Sequence, residues 1–139
     1  MKTRFTLECA EEFDFAVLAI NSHIKAYKLC WNINNSMQLN FEKKDDHNIN
    51  EDLRFSRYTY ISDEGIEYDL LANHSKKGYL VPNQKSINFF LVVKNDYWNQ
   101  DKTDFMSKLK NTTDVLLAFE IDIANLKYID RFIFNDKEN

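Results

Sequence analysis

Residues 87–93 read Ile-Asn-Phe-Phe-Leu-Val-Val, a run that is apolar on both faces after Asn88. A strand of this kind has to be covered on both sides, so it belongs in the middle of a sheet. The chain's single proline, Pro82, stands five residues upstream within LVPNQ. Proline has no N–H and fixes its own φ, which keeps this segment out of a central ladder and lets Pro82 stiffen the approach to the strand.

The clearest local pattern lies just before it. LRFSRYTYIS and IEYDLLAN flank Asp63-Glu64-Gly65, and glycine in third place is what a short hairpin with a left-handed bulge residue requires. In the second strand Ile66, Tyr68, Leu70 and Ala72 alternate with Glu67 and Asp69, the pattern of a sheet with one wet side. HSKKG, residues 74–78, is a second polar turn. DVLLAFEID, residues 114–122, again reads as a buried strand. Between the two apolar runs, Asp101 heads KTDFMSKLKN, with Asp104 and an apolar stripe of Phe105, Met106 and Leu109. Residues 87–121 are therefore expected to form a strand, a helix ending at Asn111 and Thr112, and a parallel strand.

Towards the amino end, RFTLE at residues 4–8 suits a first strand, and Glu11 and Glu12 suit the first turn of a helix running through Ile20. Helical spacing continues beyond it in two stripes. One is Ile20, Ile24, Tyr27 and Trp31; the other is Ala26, Cys30, Ile33 and Met37. Ser22 can cap this second helix or sit inside one bent helix. EKKDDHNINED, residues 42–52, has no period that buries a face and reads as a polar surface loop. LKYIDRFIF near the carboxyl end suits an edge strand or a partner-seeking tail, followed by a polar tail at 135–139.

Composition narrows the class. At 139 residues the chain fits one domain, and a hydrophobic share of 44% with 14% aromatics predicts a packed, aromatic-rich core. Two glycines and one proline are too few for a sandwich or barrel rich in tight turns. A formal charge of −4 is the opposite of the footprint of a phosphate-backbone binder. MKTRFTLECAEEFDF lacks the continuous apolar core of a signal peptide, and the run at 15–20 is far short of the ~20 residues of a membrane helix. A cytoplasmic protein with Cys9 and Cys30 reduced is expected.

Candidate sites each have a chemical and a packing reading. His23, Tyr27 and Cys30 are spaced to share a helix face as base and nucleophile; Cys30, between Leu29 and Trp31, equally suits a small buried hydrophobe. Glu120 and Asp122 share one strand face, where an enclosed carboxylate would act as a general base and an open one would pair with a lysine. Tyr58 and Tyr60 point the same way and, with Lys76 and Lys77, could stack and hold RNA, or pack across strands. Asp63, Glu64, Glu67 and Asp69 read as a solvated hairpin face. Tyr97 and Trp98, in the polar connection NDYWNQ, and Phe134 are the interface candidates, with folding back onto the core an equal reading for Tyr97 and Trp98. Gly65 and Gly78, the only glycines, allow neither G-x-G-x-x-G nor a Walker-type loop. Cys9, Cys30, His23, His47 and His74 show no zinc-ligand spacing, so no metal or cofactor is expected.

Three stretches, SHIKAYKLCWNIN at 22–34, LVPNQKSINFFLVVK at 80–94 and AFEIDIANLK at 118–127, together resemble the IPExxxVDY family of bacterial proteins, found mainly in Bacteroidetes. The resemblance spans nearly the whole chain. In the signature this chain reads Val81-Pro82-Asn83, then Gln84-Lys85-Ser86, then Ile87-Asn88-Phe89. Two acids and a phenol of the family pattern are thus Asn83, Asn88 and Phe89 here, which removes acid-base chemistry from the motif and leaves its shape. The family brings no established activity; its members' genes lie near those of ribonuclease III and pyruvate kinase, which lifts an RNA-related role only slightly.

The sequence therefore predicts one α+β domain, a largely antiparallel sheet of about five strands with two or three helices packed on it. The leading function is a non-catalytic protein-binding or adaptor domain, with a homodimer compatible with its aromatic content. A small hydrolase or transferase centred on Glu120, Asp122 or His23, and a structured-RNA binder, are the alternatives.

Overall fold

The computed structural model describes residues 14–134. It contains strands β1 (Ala16–Asn21), β2 (Glu42–Asn48), β3 (Arg54–Ile61), β4 (Glu67–Ala72), β5 (His74–Ser75), β6 (Gly78–Tyr79), β7 (Phe89–Lys94) and β8 (Leu117–Ile121). Helix α1 is Ala26–Met37 and helix α2 is Trp98–Lys110; two 3-10 turns, Ile123–Asn125 and Ile129–Phe132, follow β8. Six strands form one sheet in the order β2-β3-β4-β7-β1-β8, and β5 and β6 form a separate ribbon. Every pairing is antiparallel, so the fold is the α+β class predicted, with one strand more in the main sheet than expected.

β7 sits inside the sheet between β4 and β1, as its two-faced apolarity requires. β1 is its other neighbour, with Ala16 opposite Val93 and Ile20 opposite Phe89. Residues 16–20 were expected to end a helix; they form a strand instead. Ala-Val-Leu-Ala-Ile offers no polar face and all five side chains are buried, as in a strand flanked on both sides by β7 and β8 and covered on both faces. The expected strand at 4–8, the helix start at Glu11 and Glu12, Cys9 and the tail at 135–139 lie outside the described residues.

The sheet separates two buried layers. On one face Leu18, Ile20, Leu70, Leu91 and Val93 meet Leu29, Cys30 and Ile33 of α1 and Trp98 and Leu109 of α2. The other face carries Val17, Ala19, Phe55, Leu71, Phe90 and Val92, covered by Leu80, Val81, Ile87, Leu126 and Phe132. This second cover is irregular backbone, held by side chains. Asn73, fully buried, accepts from Val81 N at 2.9 Å and donates to the carbonyls of Gln84 at 3.0 Å and Ile87 at 2.8 Å. Asn88 accepts from Ser22 N at 2.9 Å, tying the start of β7 to the end of β1. Pro82 lies inside the loop that Asn73 gathers.

Four further expectations change. Residues 42–48 are an edge strand rather than a loop. All its side chains but the half-buried His47 are solvated, so no period shows, and the ladder to β3 supplies the backbone hydrogen bonds, with a bulge between Lys44 and His47. α2 begins at Trp98, ahead of Asp101, because the Asn95 side chain accepts from Tyr97 N at 2.8 Å and turns the chain early. β8 runs parallel to β7 as expected, but β1 lies between them and β8 ends up at the edge. LKYIDRFIF is neither strand nor tail: it folds back in 3-10 turns and buries Leu126 and Phe132.

Candidate functional site

The α1 candidates do not assemble. Of the two helical stripes, that of Cys30, Ile33 and Met37 faces the sheet, while Tyr27 and Trp31 point outward. Cys30 Sγ approaches the Phe41 carbonyl at 3.8 Å, and burial pushes its pKa up from 9.0 to about 11. The thiolate is therefore absent near neutral pH and the sulfur acts as a small hydrophobe. His23 is exposed and precedes the helix.

Glu120 and Asp122 border an open cavity of about 420 Å³, together with Asp14, Asp96, Trp98 and Asn99. Glu120 accepts from Trp98 Nε1 at 3.1 Å and pairs with Lys102 at 3.6 Å. Asp122 Oδ1 accepts from Ala124 N at 3.1 Å and caps the first 3-10 turn. Both carboxylates are thus engaged by donors, and among the described residues no imidazole or thiol joins them in the lining. Among the described residues, no three His, Cys, Asp or Glu side chains converge to hold a metal ion.

The tyrosines of β3 face the helices. Tyr58 is buried and Tyr60 half-buried; Tyr60 stacks on Tyr68 with ring centres 5.7 Å apart, and Tyr68 stacks on Phe105 at 5.4 Å. These faces are occupied by one another, which removes the platform a base would need. Lys76 and Lys77 stand exposed on the β5–β6 turn.

The three interface candidates separate as well. Tyr97 is 64% exposed, but Trp98 is only 8% exposed: it packs edge-on against Phe105 at 5.5 Å and anchors α2 to β8 through Glu120. Phe134 is half-buried, with the Arg57 guanidinium 4.0 Å and the Lys94 ammonium 5.3 Å from its ring centre and His47 edge-on at 4.7 Å.

Beneath Phe134 lies a polar cluster that the alternation of β4 hid. Asp69, expected on a wet face, is fully buried. Its Oδ1 accepts from Arg57 Nη2 at 2.9 Å, Arg57 Nε at 3.0 Å and Thr59 Oγ1 at 2.6 Å, whereas no donor reaches Oδ2. Burial first, then a hydrogen bond shared with Glu67, raises its pKa from 3.8 to about 7 against the pull of Thr59 and Arg57. The same shared bond holds Glu67 below its ordinary value. Burial thus favours the protonated form of Asp69 below about 7, while Glu67 beside it favours the ionised form. The cluster is a core device on a covered face.

The two edges of the sheet differ sharply. β2 presents Glu-Lys-Lys-Asp-Asp-His-Asn with a bulge, the charged and irregular edge that blocks strand addition. β8 carries Leu-Ala-Phe-Glu-Ile, regular along its length. Leu116, Leu117 and Phe119 are 60%, 51% and 41% exposed, and no strand among the described residues pairs with its outer side. Its one charge, Glu120, is already held by Lys102 and Trp98. The sequence placed a strand here, but the pairing that leaves it open is made by β1, almost a hundred residues earlier. No protein-family model matches the chain, and no curated protein matches it either.

Proposed function

We propose that this chain is a non-catalytic protein-binding domain of the bacterial cytosol, a divergent relative of the IPExxxVDY proteins, which takes an extended partner segment along β8. The observation that carries the reading is the apolar edge of β8, unpaired among the described residues, opposite a charged, bulged β2 edge. An open strand edge offers a row of backbone donors and acceptors, and alternating apolar side chains beside it supply the burial that strand addition needs. The inert Cys30 and the donor-bound Glu120 and Asp122 support a role without chemistry.

The test is affinity capture from native cytosol, with and without nuclease, comparing the wild type with a Leu117→Glu/Phe119→Glu double variant. Both side chains stand exposed at the sheet edge, 51% and 41% accessible, so the variant should fold. The expected result is a nuclease-resistant set of captured proteins that the double variant loses and a Tyr27→Ala/Trp31→Ala variant keeps. Capture indifferent to the β8 changes, or abolished by nuclease, overturns the reading.

A further inference from the structure

We infer that the strand received by β8 is β8 of a second copy, so that two chains join antiparallel about a two-fold axis at Phe119. This rests on the reading of β8 as the binding edge and adds the identity of its occupant. The pattern of the strand is self-complementary in one register. With Phe119 opposite its own counterpart, Leu117 falls opposite Ile121 and Ala118 opposite Glu120, so all five residues of Leu117–Ile121 are paired. Directly opposed residues of an antiparallel pair lie on one face. Leu117, Phe119 and Ile121 therefore meet the same three residues of the other copy on the face that carries Val17 and Ala19.

Charge selects this register over its neighbour. Centring the axis on Glu120 would set two carboxylates directly opposite, which is destabilising. Centring it on Ala118 would place Glu120 against Leu116 and Ile121 against Val115, both beyond the strand, so that only Leu117, Ala118 and Phe119 pair within it. In the Phe119 register each Glu120 meets a small neutral Ala118 while keeping its own Lys102 at 3.6 Å and Trp98 at 3.1 Å. The side chain of the only charged residue is thereby compensated before the copies meet. A two-fold contact also uses one patch on both chains, so it closes on itself and adds no further copies. The β2 edge, with its charges and bulge, blocks growth at the far side of the sheet.

Sedimentation equilibrium of the purified full chain, from about 1 to about 100 µM, tests the assignment. The expected result is a concentration-dependent doubling of the 16.6 kDa mass, lost in Phe119→Asp and in Leu117→Lys. Each variant is to keep the wild-type circular dichroism spectrum, and the pair guards against one of them failing to fold. A Phe119→Cys chain in a Cys9→Ser/Cys30→Ser background should form a covalent dimer under mild oxidation, and a Tyr27→Cys chain in that background should not. A dimer that survives both β8 substitutions overturns the inference. So does a chain that stays monomeric throughout the range. If that monomer still loses captured partners with Leu117→Glu/Phe119→Glu, the second copy is excluded while β8 remains the binding edge; if capture is also unchanged, both fall.

Discussion

Asp69 is placed where an ionised carboxylate is costly and a protonated one is useful. Arg57 and Thr59 satisfy one oxygen, and burial together with the neighbouring Glu67 favours a proton on the carboxyl group. Glu67 also lies 3.5 Å from Lys94 and 3.8 Å from Arg57, and Phe134, with His47 behind it, closes the site from above. The folded pKa of Asp69 is raised from 3.8 to about 7. Between those values the folded chain keeps a proton that the unfolded chain has released, so stability falls as pH rises through the window and levels off above it. The lowered pKa of Glu67 acts in the opposite sense, costing stability only as pH falls below its ordinary range. Asp69→Asn imitates the protonated acid, with an oxygen for Arg57 and an N–H for Glu67. Urea unfolding at about pH 5 and about pH 8 should show the wild type losing up to a few kcal/mol between them, and Asp69→Asn losing much less. Parallel profiles for the two chains would place the proton elsewhere. The alternation of β4 did put Asp69 on the face opposite Leu70. Whether that face was wet depended on residues 123–134, which no window around Asp69 contains.

Elements were legible to the extent that their neighbours in sequence were also their neighbours in space. The β3–β4 hairpin was readable because Gly65, at φ 86°, supplies the left-handed residue its turn demands. β7 declared its central place through residues 89–93, all buried. β1 was misread because an apolar run of that length suits helix or strand, and only pairing with β7 and β8 decides between them. β2 was missed because an edge strand solvated everywhere but at His47 has no buried period to show. In α1 both stripes have helical spacing, and packing chose Ala26, Cys30, Ile33 and Met37 over Tyr27 and Trp31. That choice can be checked by truncation. Ile33 is fully buried among the sheet-facing residues, so Ile33→Ala should cost about 2–5 kcal/mol by transfer and cavity formation. Trp31→Ala, on the 62% exposed side chain, should change stability by no more than about 0.5 kcal/mol. Equal losses in chemical denaturation would mean that α1 is rotated from the orientation described.

At the scale of the whole molecule, the two faces of the sheet are covered by different means, and this sets where the fold is vulnerable. α1 and α2 bring their own backbone hydrogen bonds to the first face. The second face relies on a segment with little regular structure, which has to be pinned by side chains. Phe132 is fully buried and meets Phe90 edge-on at 5.2 Å, while Arg131 Nη1 donates to the carbonyls of Leu80 at 2.9 Å and Tyr79 at 3.3 Å. The Arg131 carbonyl in turn lies 2.6 Å from His47 Nε2 on β2. The loop gathered by Asn73 and the carboxyl-terminal turns therefore hold each other down over Phe90, Val92 and the Asp69 cluster. Phe132→Ala removes the largest buried side chain of this cover and should cost about 3–5 kcal/mol. Loss of the pin should also show locally, because irregular backbone without its buried anchor opens before the sheet does. Limited proteolysis of Phe132→Ala should cut within residues 123–134 well before any strand, whereas Phe105→Ala, on the helical face, should unfold the chain without that early cut. Resistance of residues 123–134 in Phe132→Ala would show that Leu126 and Arg131 suffice to hold the cover, and the second core would then be less dependent on its last turn than its packing implies.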